Sequence, residues 1–587
     1  MPEHAQLLFV AAGGGWGPRG SIWTGTGGRC AAVAVTGGRI VALDREALDR
    51  RGPRTEVVDL AGRTLLPGFR DGHLHPLAGG VESLDCDLVD AADLDEVLAR
   101  LRTYAAAHPD VPWVLGYGYP PELLPGGVGR AALLDGVVAD RPVALWSSDH
   151  HMVWCNSRAL AVAGITAGTV DPPRGTIVRD AQGHPVGTLL EEAELLLDDH
   201  LPPRGTAKEA RGLELGLARM AAAGLVWGQD AWTQLPTLPA YQRVADAGRL
   251  TADLDLACKV EVDGWREQVA AFADARRDAE VAARRRADDG VPGGRLSATT
   301  VKFFVDGVIE GGTAAMLDPY EPFGDVASGD AAGGDAAGRA AGGDGCGHGA
   351  SAVHDDDRGI ANWTLAALTD AAAAMDAAGF QLHLHAIGDA AIRLALDAIE
   401  RVAVRNGPRD RRPTIAHTHL VHPDDLPRFR QLGVVANLEP LWAQRNAIMV
   451  ELTEPRLGPE RSRWQYPIGS LLRSGAAVSF GSDWPVSSHV PLEGVAVAVT
   501  RRGASGPAAR EAFLPEEAIT LDQALTAYSA GTAHQAGEEA DAGRIAVGQR
   551  ADLALVGADL ASLPPSELHD AAVMGTWVAG REVHRGG

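Results

Sequence analysis

The chain has 587 residues, 46% of them apolar, with 53 Lys plus Arg against 77 Asp plus Glu, a formal net charge of −24. Such a surface repels phosphate backbones and anionic lipid, which excludes nucleic acid and membrane surfaces as expected partners. No apolar run reaches the roughly 18 residues of a membrane span, and the start lacks a basic segment, so neither insertion nor export is expected.

In chain order, residues 1–65 predict short strands between glycine turns. Ala31–Val35, the pair Gly37-Gly38 and Arg39–Leu43 have the composition of a hairpin, and Glu56–Leu60 is a further strand. Beyond Leu65-Leu66-Pro67-Gly68, short apolar strands alternate with Ala/Leu-rich helical stretches. The series includes helix Leu94–Ala107, strand Val143–Trp146, helix Glu209–Ala222 and strand Gly224–Gln229. It continues with helix Leu365–Ala378, strand Phe380–His385 and helix Ala390–Val402. This alternation predicts a parallel sheet, closed or open. The tail returns to strands at Gly543–Val547, Ala551–Val556 and Thr576–Val583. Residues 1–65 and 541–587 are therefore expected to form one small β-sandwich, with a barrel inserted at 66–540. The run Arg276–Asp289 reads as a solvated helix. Gly324–Asp357 is almost wholly Gly, Ala and Asp, too poor in apolar groups to offset its ordering entropy, and is expected to be a disordered loop. Cys346 and His348 within it read as solvated coil rather than a metal site. The five cysteines, Cys30, Cys86, Cys155, Cys258 and Cys346, are dispersed without a C-x-x-C pair and read as reduced thiols of a cytoplasmic protein.

Four strand ends carry metal-binding chemistry. In Pro67-Gly68-Phe69-Arg70-Asp71-Gly72-His73-Leu74-His75, side chains two apart share a strand face, so His73 and His75 can present nitrogens to one ion. Gln381–Asp389 reads as an alternating strand followed by a glycine turn, with His383 and His385 on one face and His385 nearer the carboxyl end, where barrel sites are built. Thr414-Ile415-Ala416-His417-Thr418-His419 repeats the arrangement, and Val478–Pro485 places Asp483 just after a strand. A buried carboxylate there requires a charge partner, which a cation supplies. Any one of these ends has a structural explanation; four in sequential order are hard to assign to coincidence.

With these residues in view, the chain resembles the amidohydrolase superfamily, and within it the YtcJ-like branch that includes N-substituted formamide deformylases. Asp149–Ser157, Arg179-Asp180 with Gly187–Glu191, Val301–Gly307 and Gly543–Val556 add to the resemblance. It implies a (β/α)8 TIM-type barrel carrying a β-sandwich from both termini. It also implies one or two divalent ions, zinc first, with manganese or iron as alternatives. By position, His73 and His75 match the ligands after strand one, His385 that of strand five, His417 that of strand six and Asp483 the strand-eight aspartate. Lys302 falls where relatives carry a carboxylated lysine, which first needs a neutral amine; a salt bridge to Asp306 is the alternative. Glu191 is a reserve ligand or substrate contact. The sequence departs from the branch at His150, Met152, Ala416 and His419, and at the loop Leu438–Trp442.

The implied reaction is hydrolysis of an amide-like C–N bond in a small-molecule substrate. Water is activated by an ion that lowers its pKa from about 15.7 toward about 7. Asp483 serves as proton shuttle, and His151 either contacts the developing oxyanion or tethers its loop. Trp154, Trp442 and Trp484, with Asp306, are expected to wall the substrate pocket. Ester or lactone hydrolysis, or metal-assisted isomerisation, would use the same site. A non-catalytic metal-binding protein is opposed by the complete ligand set. A homodimer is compatible with the superfamily. There is no G-x-x-x-x-G-K-[ST], no G-x-S-x-G and no dinucleotide fingerprint.

Overall fold

The computed structural model describes residues 4–11, 22–322 and 357–586. The expected disordered loop, with Cys346 and His348, lies outside the described residues apart from its last member, Asp357. That residue is tied in: its carbonyl accepts from Tyr320 N at 2.9 Å and its carboxylate from Gly359 N at 3.1 Å.

Eight parallel strands form one sheet in the order of the sequence. They are β1 (Phe69–Leu74), β2 (Leu225–Thr233), β3 (Asp253–Lys259), β4 (Leu296–Phe304), β5 (Gln381–Ala386), β6 (Thr414–His417), β7 (Val435–Leu438) and β8 (Ala477–Phe480). Each is bounded by helical or turn sequence and is almost wholly buried, as expected where helices cover the outside. Between β1 and β8 the ring is completed just past β8, where Ser482 N and Asp483 N donate to His73 O at 3.2 and 2.7 Å. The protein is thus an α/β barrel of the TIM type.

Both ends of the chain contribute to two further sheets. One is Arg39–Leu43, Ala32–Thr36, Leu7–Val10 and Glu56–Asp59; the other joins Arg581–Arg585, Val573–Val578 and Leu553–Val556 to Thr64–Pro67, Ile22–Trp23 and Arg29–Cys30. Phe9, Val33, Leu65, Leu553 and Trp577 share one apolar core between them. The hairpin Ala32–Thr36/Arg39–Leu43 pairs as its glycine turn predicts. Two tail expectations need correction. Gly543–Val547 is turn, and Thr576–Val583 is two strands, because Ala579-Gly580 takes positive φ and reverses the chain.

A larger correction concerns Val143–Trp146. Its strand, Val143–Ser147, is outside the barrel, in a six-stranded sheet built entirely between β1 and β2. That sheet runs Gly175–Arg179, Pro185–Glu191, Met152–Cys155, Val143–Ser147, Val114–Tyr119 and Cys86–Asp87. It buries its own apolar clusters, one around Leu101, Tyr119, Leu145 and Trp154, which is why its strands read like barrel strands. Trp154 belongs to this core. It is fully buried, stacks edge-on against Tyr119 and donates its indole N–H to Arg130 O at 3.0 Å, so it does not wall the substrate pocket.

The helix after β1, α1 (Pro76–Glu82), crosses α2 (Gly205–Ala222) at backbone contact. A Cβ on Gly216 would stand 2.1 Å from Pro76 O, and one on Gly80 1.8 Å from Gly212 O. Only glycine permits this approach, and it fixes the segment that carries His75.

Candidate metal centre and active site

The carboxyl ends of the barrel strands open into a cavity of about 980 Å³ lined by His73, His75, Lys302, His385, His417 and Asp483. Strand periodicity directs Asp71 and His73 inward from β1, and Ser482 Oγ donates to Asp71 Oδ2 at 2.6 Å beneath them. His73 is fixed from two sides. Its Nδ1 meets His383 Nε2 at 2.9 Å, which leaves Nε2 facing Asp483 Oδ1 at 3.2 Å and Lys302 Nζ at 3.3 Å. His75 lies just past the strand and reaches the same Asp483 oxygen at 2.9 Å.

His73, His417 and Asp483 each offer a ligand atom, all within 4.8 Å of one another, a spacing that could hold a metal ion. The other three expected ligands join indirectly. His75 comes through Asp483, Lys302 through His73, and His385 by ring contact with His417 at 4.5 Å between centroids. His385 Nε2 is turned to Gly307 O at 3.2 Å and Asp306 Oδ1 at 3.5 Å, so the six groups do not meet at one point. The donor set fits a divalent cation. Imidazole and carboxylate are its usual ligands, and His75 Nδ1 and Glu439 Oε1 are buried without a hydrogen-bond partner among the described residues.

Burial sets the electrostatics. It pushes Lys302 down to about 7, and it holds His73, His383 and His385 well below the usual imidazole range. Burial alone would raise Asp483, but His73 and His75 hold it well below the ordinary carboxylate value. Burial would likewise lower His75 and His151. Asp230 and Asp483 outweigh it at His75, raising it to about 9, and Glu191 does so at His151, raising it to about 10. His417, Thr418 and Asp483, with His150 and Glu191 opposite, all hold positive φ. Such backbone strain costs about 1–3 kcal/mol per residue and gathers where side chains must be aimed.

The inserted sheet supplies the facing wall. His151 Nδ1 contacts Glu191 Oε2 at 2.9 Å, and Thr313 Oγ1 donates to Glu191 Oε1 at 2.5 Å. The His151 ring stands 5.8 Å from that of His385. Trp442 lies parallel to His417 at 5.5 Å and lines the cavity as expected. Trp484 does not. Its ring turns back into the core against Gly79, with the Arg219 guanidinium above it. Asp306 borders the cavity, but its carboxylate accepts from the backbone N–H groups of Ala315, Ile387 and Gly388 at 2.8–3.1 Å. It organises that loop and forms no ion pair with Lys302. Burial pushes it up to about 8.

Sequence reasoning missed two groups and left a third, His383, without a role. Glu439, fully buried after β7, contacts His417 Nδ1 at 3.1 Å. Asp230 in β2 reaches His75 Nδ1 at 3.8 Å, and the Tyr241 hydroxyl donates to its other oxygen. His383 steadies His73 from behind. Glu439, the polar residue just after an apolar strand, carried the same signal that marked Asp483; Asp230, beside Gln229, and His383, two before His385, lie within their strands.

The sequence profile described as "Amidohydrolase family" matches residues 56–584. The "Putative amidohydrolase YtcJ" of Bacillus subtilis (strain 168) is 27% identical over 548 residues, covering 91% of each chain. The "N-substituted formamide deformylase" of Arthrobacter pascens is 27% identical over 571 residues, covering 94% of each. Among solved structures, an uncharacterized metal-dependent hydrolase from Pyrococcus furiosus superposes with a TM-score of 0.64 at 20% identity, over 95% of this chain and 99% of that one.

Proposed function

The chain belongs to the amidohydrolase family and is a hydrolase of carbon–nitrogen bonds other than peptide bonds, and on that premise we propose that it cleaves an amide of the N-acyl or N-formyl amine type in a small molecule by metal-activated water. The observation that carries this reading is the convergence of His73, His417 and Asp483 from three barrel strands at the floor of the cavity.

His73, His75, His417 and Asp483 would hold one divalent ion, with His385 and a carboxylated Lys302 completing a second position. Zinc suits this imidazole and carboxylate set. An ion bound there makes water acidic near neutral pH and polarises a carbonyl. Asp483, held ionised by its two histidines, takes the proton of the attacking water and passes it to the leaving nitrogen. His151, kept cationic by Glu191, donates a hydrogen bond to the carbonyl oxygen as negative charge develops there. Trp442 closes the side beside His417 and excludes bulk water. Neutral Lys302, available because burial lowers its pKa, is the form that reacts with carbon dioxide.

Turnover of matched amide, ester and lactone series by metal-loaded protein tests the assignment. Amide hydrolysis abolished by a chelator and restored by zinc is the expected result. Full turnover without metal would overturn it, and ester or lactone hydrolysis without amide hydrolysis would move the reaction to another class. His73→Ala combined with His75→Ala is expected to lower bound metal by elemental analysis; unchanged stoichiometry would refute the ligand set.

A further inference from the structure

The cavity is far larger than a formyl group needs, and its outer wall is chemically one-sided. Carboxylates line it in number, while the only lysine and arginine side chains among its described residues are Arg204, Lys259 and Lys302. Lys259 is already engaged, 3.2 Å from Glu261 and over the Trp232 ring at 5.0 Å. Arg204 lies against the Tyr117 hydroxyl at 3.2 Å. Besides the acids at the ligand set, Glu82, Asp149, Glu194 and Glu310 also line the cavity.

Two of these acids are deeply buried and incompletely partnered. Glu82, 8% exposed, receives no hydrogen bond among the described residues; His150 Nε2 stands 3.5 Å from its carboxylate, and the Arg204 guanidinium is within electrostatic reach. Asp149, 9% exposed, accepts from His151 N at 3.1 Å and from the Ser147 hydroxyl through Oδ1, while Oδ2 has no partner. Glu310 feels both Arg456 and His151, and Glu194 accepts the Trp146 indole N–H at 3.0 Å. Burial pushes both Glu194 and Glu310 up to about 7, outweighing the opposite pull of His151 on both and of Arg456 on Glu310. Beside them Tyr117 and Trp146 stack at 5.0 Å and line the cavity. Aromatic faces beside desolvated carboxylates are the chemistry that recognises an ammonium group.

We propose that the outer cavity is a cation subsite, formed by Glu82, Asp149, Glu194 and Glu310 with Tyr117 and Trp146, and that the substrate is an amide whose far end carries an ammonium group. This rests on the amidohydrolase reading of the inner site. A neutral or anionic amide of the same length leaves those carboxylates unpaired or repelled, so discrimination arises from the wall and not from the scissile bond.

Two isosteric series test it on the metal-loaded enzyme. On the amine side, N-formyl-1,5-diaminopentane is compared with N-formylhexylamine and N-formyl-6-aminohexanoate; on the acyl side, 6-aminohexananilide is compared with heptananilide. In one series the cationic member is expected to lead its neutral isostere in kcat/KM by roughly tenfold or more, with the ratio shrinking as salt rises. Glu82→Gln with Asp149→Asn should bring that ratio toward one. Equal kcat/KM for cationic and neutral members of both series, or a ratio untouched by the double substitution, would overturn the subsite. Should no amide be turned over, the inner-site reading fails alone. Calorimetric binding of the same compounds then decides the subsite: tighter binding of the cationic members supports it, and equal binding ends it.

Discussion

Glu439 Oε2 stands 3.1 Å from His417 Nδ1 in a fully buried layer, so the imidazole can present only its Nε2 edge to the metal position. A carboxylate behind a ligating histidine fixes its tautomer and ring orientation, and losing one typically weakens metal binding about 10–100-fold. Glu439→Gln is expected to fall in that range when metal affinity is measured by chelator competition. Unaltered affinity would show that His417 needs no such support.

Asp483 receives both His73 and His75 on one oxygen. Asp483→Asn keeps the shape but cannot take a proton, so turnover is expected to fall by roughly 10²-fold or more with circular dichroism unchanged. A near-normal rate would remove Asp483 from proton transfer.

His151 is held cationic to about pH 10 because Glu191 outweighs its burial. Glu191→Gln removes the largest opposition to burial and leaves only Asp149 and Glu310 against it, so His151 loses its proton at lower pH. The alkaline limb of kcat/KM should move down by roughly one to three units. A limb that stays in place in folded protein would mean that the His151 proton is not used.

Lys302 is buried with its pKa lowered from 10.5 to about 7. Between those values the unfolded chain binds a proton that the folded chain does not. The stability of metal-stripped protein should therefore rise with pH across that window, and Lys302→Met should flatten the rise. Parallel urea midpoints for the two proteins would show that Lys302 keeps its proton in the fold.

Gly216 meets the carbonyl of Pro76, the residue after His75, where a Cβ would stand 2.1 Å away. Gly216→Ala must separate α1 from α2, at an expected cost of about 1–3 kcal/mol, with weaker metal retention because His75 shifts. An unchanged melting temperature would show that the two helices part freely.

The barrel was legible because its evidence is local. An inward-facing strand residue recurs every second position, so His73, His385 and His417 declare themselves at strand ends from a few neighbouring letters. The same local evidence misled at Val143–Ser147, since a strand buried in a separate sheet has the composition of a barrel strand. It misled again at Trp154 and Trp484, because an indole beside a site motif looks alike whether it faces the cavity or the core. The sequence by itself determined the residue types at each strand end, the barrel class and the family. Only the tertiary structure decided that Glu439 backs His417, that His383 backs His73, that His385 turns toward Gly307 and that the inserted sheet faces the cavity with acids. Those relations depend on which strands become neighbours when the ring closes, and contacts between residues hundreds of positions apart leave no periodic trace in the chain.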